Sequence, residues 1–271
     1  MANLQTHLAL TGLRGRRVIE PDVESLVDRV ADDICQLARH RVGVAGEFHL
    51  ALSGGSTPQV LYQHLVIDPR YRAMPWEKTH LWIVDERCVS FDHEKSNYRM
   101  INELIVEHVP IGAAHVHPMM VTEDGGDVKY EHDLRAALDN PSANGRLDLV
   151  LLGMGPDGHT ASLFPQTPGL TETERWVIIN DGEAVMAPRP RMTMTYPLIN
   201  NARHIGLLLT GVSKYDMLKQ VAASPDDVQR LPVTGVKPAR EDTELTWYLD
   251  EAAATGQNPD SDPDPDNNAN A

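Results

Sequence analysis

Asp157 and His159 stand two residues apart in LDLVLLGMGPDGHTASLFP (residues 147–165), set among Gly153, Gly155 and Gly158. A carboxylate beside an imidazole is the pairing that orients a general base. Glycines supply sharp turns and let backbone N–H groups approach a ligand closely. Three readings of the stretch stand open. Gly153-Met154-Gly155-Pro156-Asp157-Gly158 spells the G-x-G-x-x-G dinucleotide pattern, with Asp181 about where a ribose-binding acid would follow. That pattern needs a helix opening at its third glycine, and Pro165, Pro168 and Gly169 leave little room for one. The second reading is an ordinary glycine turn with an incidental histidine. In the third the loop is catalytic, with Asp157 orienting His159.

Other stretches of the chain offer groups that would suit an anion. Ser53-Gly54-Gly55-Ser56-Thr57 lies between an apolar run, Phe48 to Leu52, and a predicted helix, Pro58 to Val66, with Thr57 as its N-cap. Such a junction presents free N–H groups and the positive end of a helix dipole, which suits a phosphate. No lysine follows the glycines, so it is not a nucleotide P-loop. HLWIVDER (80–87) predicts a third buried strand that delivers Asp85, Glu86 and Arg87 at its end. Thr210-Gly211-Val212-Ser213-Lys214 ends another run, His204 to Leu209, and puts a cation at the start of a helix over 213–223. Arg189 and Arg191 lie in PRPRMTMT (188–195). Parallel strands all end on one face of a sheet, so these strand ends should converge.

The elements that would position these groups alternate along the chain. The run Leu147 to Leu152, broken only by Asp148, predicts a strand buried on both faces. RRVIE (16–20) predicts a first strand. Pro21 and Asp22 then open an amphipathic helix to about Arg41, striped by Val23, Leu26, Val27, Val30, Ile34 and Leu37. Further helices are predicted over 96–108, opened by Asn97, and over 127–139; further strands over 176–180 and 245–249. His115 and His117 flank a short strand and read as structural rather than metal-binding. No internal repeat appears, and no linker divides the body.

Of 271 residues 41% are hydrophobic and 23% charged, in keeping with a real core. The net charge of −15 argues against nucleic acid and anionic membrane as partners. Five of those negative charges follow residue 250 (Glu251, Asp260, Asp262, Asp264, Asp266), so the rest of the chain carries −10. Any anionic ligand must therefore meet local cations. Cys35 and Cys88 form neither a disulfide framework nor a zinc spacing. With no signal peptide and no apolar run of membrane length, the cytoplasm is the expected compartment. The sequence sets no oligomeric state.

Taken together, LALSGGSTP (50–58), DERCVSFDHEKSNYRM (85–100) and GMGPDGHTASLFP (153–165) closely resemble the glucosamine-6-phosphate isomerase/6-phosphogluconolactonase family, on its lactonase side. PRPRMT, TGVSKYDML, LPVTGV and TWYLDEAA extend the resemblance over roughly residues 16–254. It implies a three-layer Rossmann-like α/β fold, with a mostly parallel central sheet flanked by helices and no nicotinamide site. Residues 1–254 are then one such domain, and the acidic Asp/Pro/Asn-rich segment 255–271 a disordered tail. The implied activity is hydrolysis of 6-phospho-D-glucono-1,5-lactone to 6-phospho-D-gluconate, the second step of the oxidative pentose phosphate pathway, with no metal and no organic cofactor.

By the same resemblance, His159 is the catalytic histidine and Asp157 its supporting acid. Arg87 and Lys214 hold the substrate phosphate beside Ser53, Gly54, Gly55, Ser56 and Thr57, with Arg191 nearby. Asp85, Glu86 and Asn97 fall on motif positions around the site. The deaminase pattern in this family resembles DGHIAFNEP; here Phe164 replaces its glutamate, and Arg87 stands where that pattern usually carries an aromatic residue. Both departures favour the lactonase. A sugar-phosphate sensor would keep the phosphate loop without needing His159.

Overall fold

The computed structural model describes residues 10–182 and 185–257. Two parts of the chain build the scaffold. The larger is a seven-stranded sheet in the order β1-β10-β9-β6-β2-β3-β5, in which every pairing is parallel. Its strands are β1 Arg16–Glu20, β2 Phe48–Leu52, β3 Thr79–Ile83, β5 Val116–His117, β6 Leu149–Leu152, β9 His204–Leu209 and β10 Glu244–Asp250. Helices flank it, so β2 and β6 are buried along their whole length and read as continuous apolar runs.

The first helix, α1 Val23–Ala45, starts where Asp22 accepts a hydrogen bond from the Ser25 amide at 2.7 Å. It ends at Gly46, whose φ of 87° is the left-handed cap that glycine adopts without strain. Leu26, Val27, Val30, Ala31, Ile34, Cys35 and Ala38 form its buried face, while Val23, expected in that stripe, is exposed. Asp148, the one acid in the central apolar run, is buried as an anchor. It takes hydrogen bonds from Arg41 Nε at 2.6 Å and the His49 amide at 2.8 Å.

The smaller part corrects the sequence reading. HLWIVDER is not one strand. β3 stops at Ile83, and after Val84 the chain enters a second, antiparallel sheet as β4 Asp85–Arg87. This sheet runs β4-β8-β7, with β7 Val177–Asn180 and β8 Arg191–Met194. The antiparallel partner is supplied from more than a hundred residues away, which no local pattern announces.

Toward the edge strand β5, side chains form an aromatic ladder. His49 pairs in register with His80, and Trp82 with His117. The His49 and His80 rings stack at 4.6 Å, His80 and His115 at 4.1 Å, and Trp82 and His117 at 3.7 Å. Trp82 Nε1 donates to His49 Nδ1 at 3.2 Å. An indole only donates, so the neutral His49 carries its proton on Nε2, the nitrogen 3.6 Å from Glu47. The four imidazoles thus pack ring on ring beside Trp82. At the other end, a closing helix Glu251–Thr255 runs to Gly256, so Thr255 belongs to the fold; residues 258–271 of the expected tail lie outside the described residues.

Candidate active site

The loop after β6 closes on itself. The Gly155 amide donates to the His159 carbonyl at 2.8 Å, the Gly158 amide to the Gly155 carbonyl at 3.1 Å, and Thr160 Oγ1 to the Gly153 carbonyl at 2.8 Å. Gly158 has a φ of +78°. A Cβ on Gly155 would lie 2.1 Å from the His159 ring, so only glycine leaves the imidazole its place. No helix opens at Gly158, which removes the dinucleotide reading. The amides of Gly155 and Gly158 are taken within the loop and are not available to an oxyanion.

Within this loop His159 Nδ1 lies 2.5 Å from Asp157 Oδ1, and the same oxygen accepts from the His159 amide at 3.1 Å. Burial works to raise the Asp157 carboxyl, but its hydrogen bond to His159 and the charge there outweigh it, so it lies below its ordinary value. An ionised carboxylate accepts only, which fixes the neutral imidazole with its proton on Nδ1 and leaves Nε2 basic.

Helix α2 spans Ser56–Ile67, so Ser56 and Thr57 are its first residues rather than loop. The N-cap is Gly55, at φ 116°, and not Thr57. Thr57 Oγ1 instead lies 3.4 Å from Thr210 Oγ1 at the end of β9. With a glycine cap, no side chain among the described residues caps this helix start, which leaves its first-turn amides to an anion. Ser53 is spent on the scaffold, its hydroxyl donating to the Leu151 carbonyl at 2.9 Å. Gly54 passes so near Asn97 that a Cβ would fall 1.8 Å from Asn97 Oδ1.

The cations come from both sheets. Arg87 and Arg191 are direct cross-strand partners in the small sheet. Like charges placed opposite one another are destabilising unless something compensates them. Each guanidinium is partly tethered: Arg87 Nη1 donates to the Lys95 carbonyl at 2.7 Å, and Arg191 Nε and Nη2 to the Met186 carbonyl at 3.1 and 2.9 Å. Burial pushes Arg191 below its ordinary value, an effect Asp85 opposes and Arg87 reinforces. Lys214 donates to the Met154 carbonyl at 2.6 Å; burial lowers it too, against the pull of Asp157.

One cavity of about 270 Å³ is lined by His159, Arg87, Arg191 and Lys214, by Ser53 through Thr57, and by Asp85 and Asn97. That is a space for a single phosphosugar rather than a dinucleotide. Asp157 and Glu86 stand behind it. Asp85 accepts from Ser162 Oγ at 2.6 Å, and its carbonyl from Asn97 Nδ2 at 2.7 Å. Glu86 is fully buried and accepts from the amides of Arg87, Asn97 and Tyr98 and from Ser96 Oγ. Burial raises its carboxyl against those bonds. It ties β4 to helix α3 Asn97–Leu104 and has no route to a ligand in this cavity.

Sequence reasoning had not singled out Thr160, Phe164 or Met186 as cavity lining, nor Ser162 as the partner of Asp85. All but Met186 lie within the quoted GMGPDGHTASLFP motif, which was the available signal. A larger cavity of about 530 Å³ opens at the opposite edge of the sheet, lined among others by Arg16, His40, His204 and Glu244. Size alone would favour it, yet none of the strand-end cations and none of the glycine loops reaches it.

The sequence model of the family described as glucosamine-6-phosphate isomerases/6-phosphogluconolactonase matches residues 21–247. The chain is 38% identical to the GDH/6PGL endoplasmic bifunctional protein of Oryctolagus cuniculus over 86% of its own length, but spans only 29% of that larger relative. It is also 38% identical to the 6-phosphogluconolactonase of Synechocystis sp., over 83% of this chain and 92% of that one. The crystal structure of 6-phosphogluconolactonase from Thermotoga maritima superposes with a TM-score of 0.71 at 27% identity, covering 87% of this chain and 99% of the other.

Proposed function

The chain belongs to the family of glucosamine-6-phosphate isomerases and 6-phosphogluconolactonases, and from that premise we propose that it hydrolyses 6-phospho-D-glucono-1,5-lactone to 6-phospho-D-gluconate in the pentose phosphate pathway. The observation that carries the reading is the single cavity in which an Asp-supported imidazole meets Arg87, Arg191 and Lys214. The cations suit a phosphate dianion, and the imidazole a carbonyl under attack by water. Residues 1–254 act as one catalytic unit, in a cytoplasmic setting.

His159 Nε2 takes a proton from water as the water oxygen bonds to C1. Asp157 holds the ring and stabilises the imidazolium so formed. As the tetrahedral intermediate collapses, the bond from C1 to the ring oxygen breaks and the same proton passes to that oxygen. Arg87 and Arg191 offer forked contacts to the phosphate, and Lys214 a point charge. Because the phosphate is remote from C1, its binding energy aligns the lactone for attack. Asp85 and Asn97 hold the strand and loop that carry these contacts.

The test uses two substrates in parallel. Freshly generated 6-phosphogluconolactone is followed by coupled dehydrogenase with the spontaneous rate subtracted, and glucosamine 6-phosphate is followed for ammonia. Lactone hydrolysis without ammonia is the expected result. Ammonia release without lactone hydrolysis would transfer the chain to the deaminase side of the family, and binding of both without turnover would make it a sensor.

A further inference from the structure

His159 is held on more than its carboxylate side. The Phe164 ring lies with its centroid 4.4 Å from that of the imidazole, the two planes tilted by 32°. Phe164 is 1% exposed and lines the same cavity. Gly155 crowds the imidazole so closely that no side chain could stand there. The imidazole is thus confined by a carboxylate, a glycine backbone and an aromatic face. A glycine and any bulky apolar side chain would confine a neutral ring equally well. An aromatic face does something further, because its quadrupole attracts a cation within about 6 Å of the centroid.

If His159 is the base, as proposed above, it is neutral before attack and cationic after it. We infer that Phe164 is a positioning residue for this reaction, whose ring fixes the His159 imidazole and favours it selectively once it has become imidazolium. The stabilisation is absent in the ground state and present as the proton transfers, so it lowers the barrier rather than tightening binding. The same ring lies 5.9 Å from Arg191 Cζ, so it also touches the group assigned to the phosphate. These two contacts separate kinetically. A contribution through Arg191 appears in KM, and a contribution through His159 in kcat.

The experiment replaces Phe164 with mono-, di- and trifluorinated phenylalanine, which keep its shape while draining the face of negative potential, alongside Phe164→Leu and Phe164→Tyr. With Phe164→Leu, kcat on 6-phosphogluconolactone should fall about 2- to 30-fold, the range of a cation–π contact, while KM stays within about twofold. The acid limb of the kcat/KM profile should move to lower pH, since a less stabilised imidazolium makes a weaker base. Through the fluorinated series kcat should decline stepwise, and Phe164→Tyr should restore it. A kcat and acid limb indifferent to fluorination would overturn the role of Phe164, as would a series in which KM alone responds. A wild-type protein that leaves the lactone untouched would overturn both this role and the assigned reaction, so the two failures are told apart by the wild type.

Discussion

His159 is made a base by its neighbours. An ionised Asp157 fixes the proton on Nδ1, so the nitrogen left to act is Nε2. Asp157→Asn should keep the fold and lower kcat by on the order of 100- to 10,000-fold, because an amide can hold the wrong tautomer; a loss under threefold would remove Asp157 from the mechanism. Lys214→Ala should raise KM by roughly 10-fold, the worth of one charge-assisted contact, with kcat nearly unchanged. An unaltered KM would move Lys214 off the phosphate. At this scale the placement was largely legible: Gly54, Gly55, Asp85, Arg87, His159, Arg191 and Lys214, all named from the sequence, line one cavity, with Asp157 and Glu86 behind it. What residue type could not disclose was where a polar group is spent. Ser53 gives its hydroxyl to Leu151, and Glu86 takes its donors from the start of a helix. Ser53 reads as a phosphate contact, yet its hydroxyl proton is committed to the scaffold; Glu86, expected only around the site, supports it from behind.

Two elements set the cavity's shape by leaving side chains out. Gly54 lets the loop after β2 pass against Asn97, and Gly155 lets the loop after β6 wrap the imidazole. Gly54→Ala should therefore cost about 1–3 kcal/mol in urea unfolding, as overpacking does, and raise KM by displacing the start of α2. Full stability with unchanged KM would show that Asn97 yields without consequence. The parallel strands were readable because burial on both faces leaves continuous apolar runs. The break after Ile83 was not, because the run stays apolar through Val84 while the chain changes sheets. The pairing of Arg87 with Arg191 escaped for a different reason. It is a long-range contact between a strand of three residues and a strand of four, and only the folded chain shows two like charges placed opposite each other.

Over the whole molecule, the histidine ladder beside β5 makes stability depend on acidity. Burial first, then the neighbouring histidines, push His117 down to about 3. Burial and His80 push His49 down to about 4, against the pull of Glu47. Both groups therefore stay neutral in the fold at pH values where the unfolded chain, near 6.5, takes up protons. Their contribution is complete above about pH 6.5 and is lost as pH falls toward 4 and then 3. Urea midpoints should decline from pH 7.5 to pH 5, with a shallower decline in His117→Phe. A flat wild-type profile, or an unchanged slope in the variant, would contradict this. The ladder was invisible in sequence, where His49, His80 and His117 fall on three separate strands and His115 on the turn before the third. The alternation of strands and helices, by contrast, announced a parallel α/β sheet, and parallel strands required their loops to meet at one edge.

The central claim is that His159, in this cavity, performs the hydrolysis. Its most direct test is kcat for 6-phosphogluconolactone measured side by side for the wild type and His159→Ala, with the spontaneous reaction subtracted and folding checked by circular dichroism. The account predicts rapid wild-type turnover and a variant slower by at least ~100-fold with a similar KM. A folded variant that turns the lactone over at the wild-type rate would contradict it.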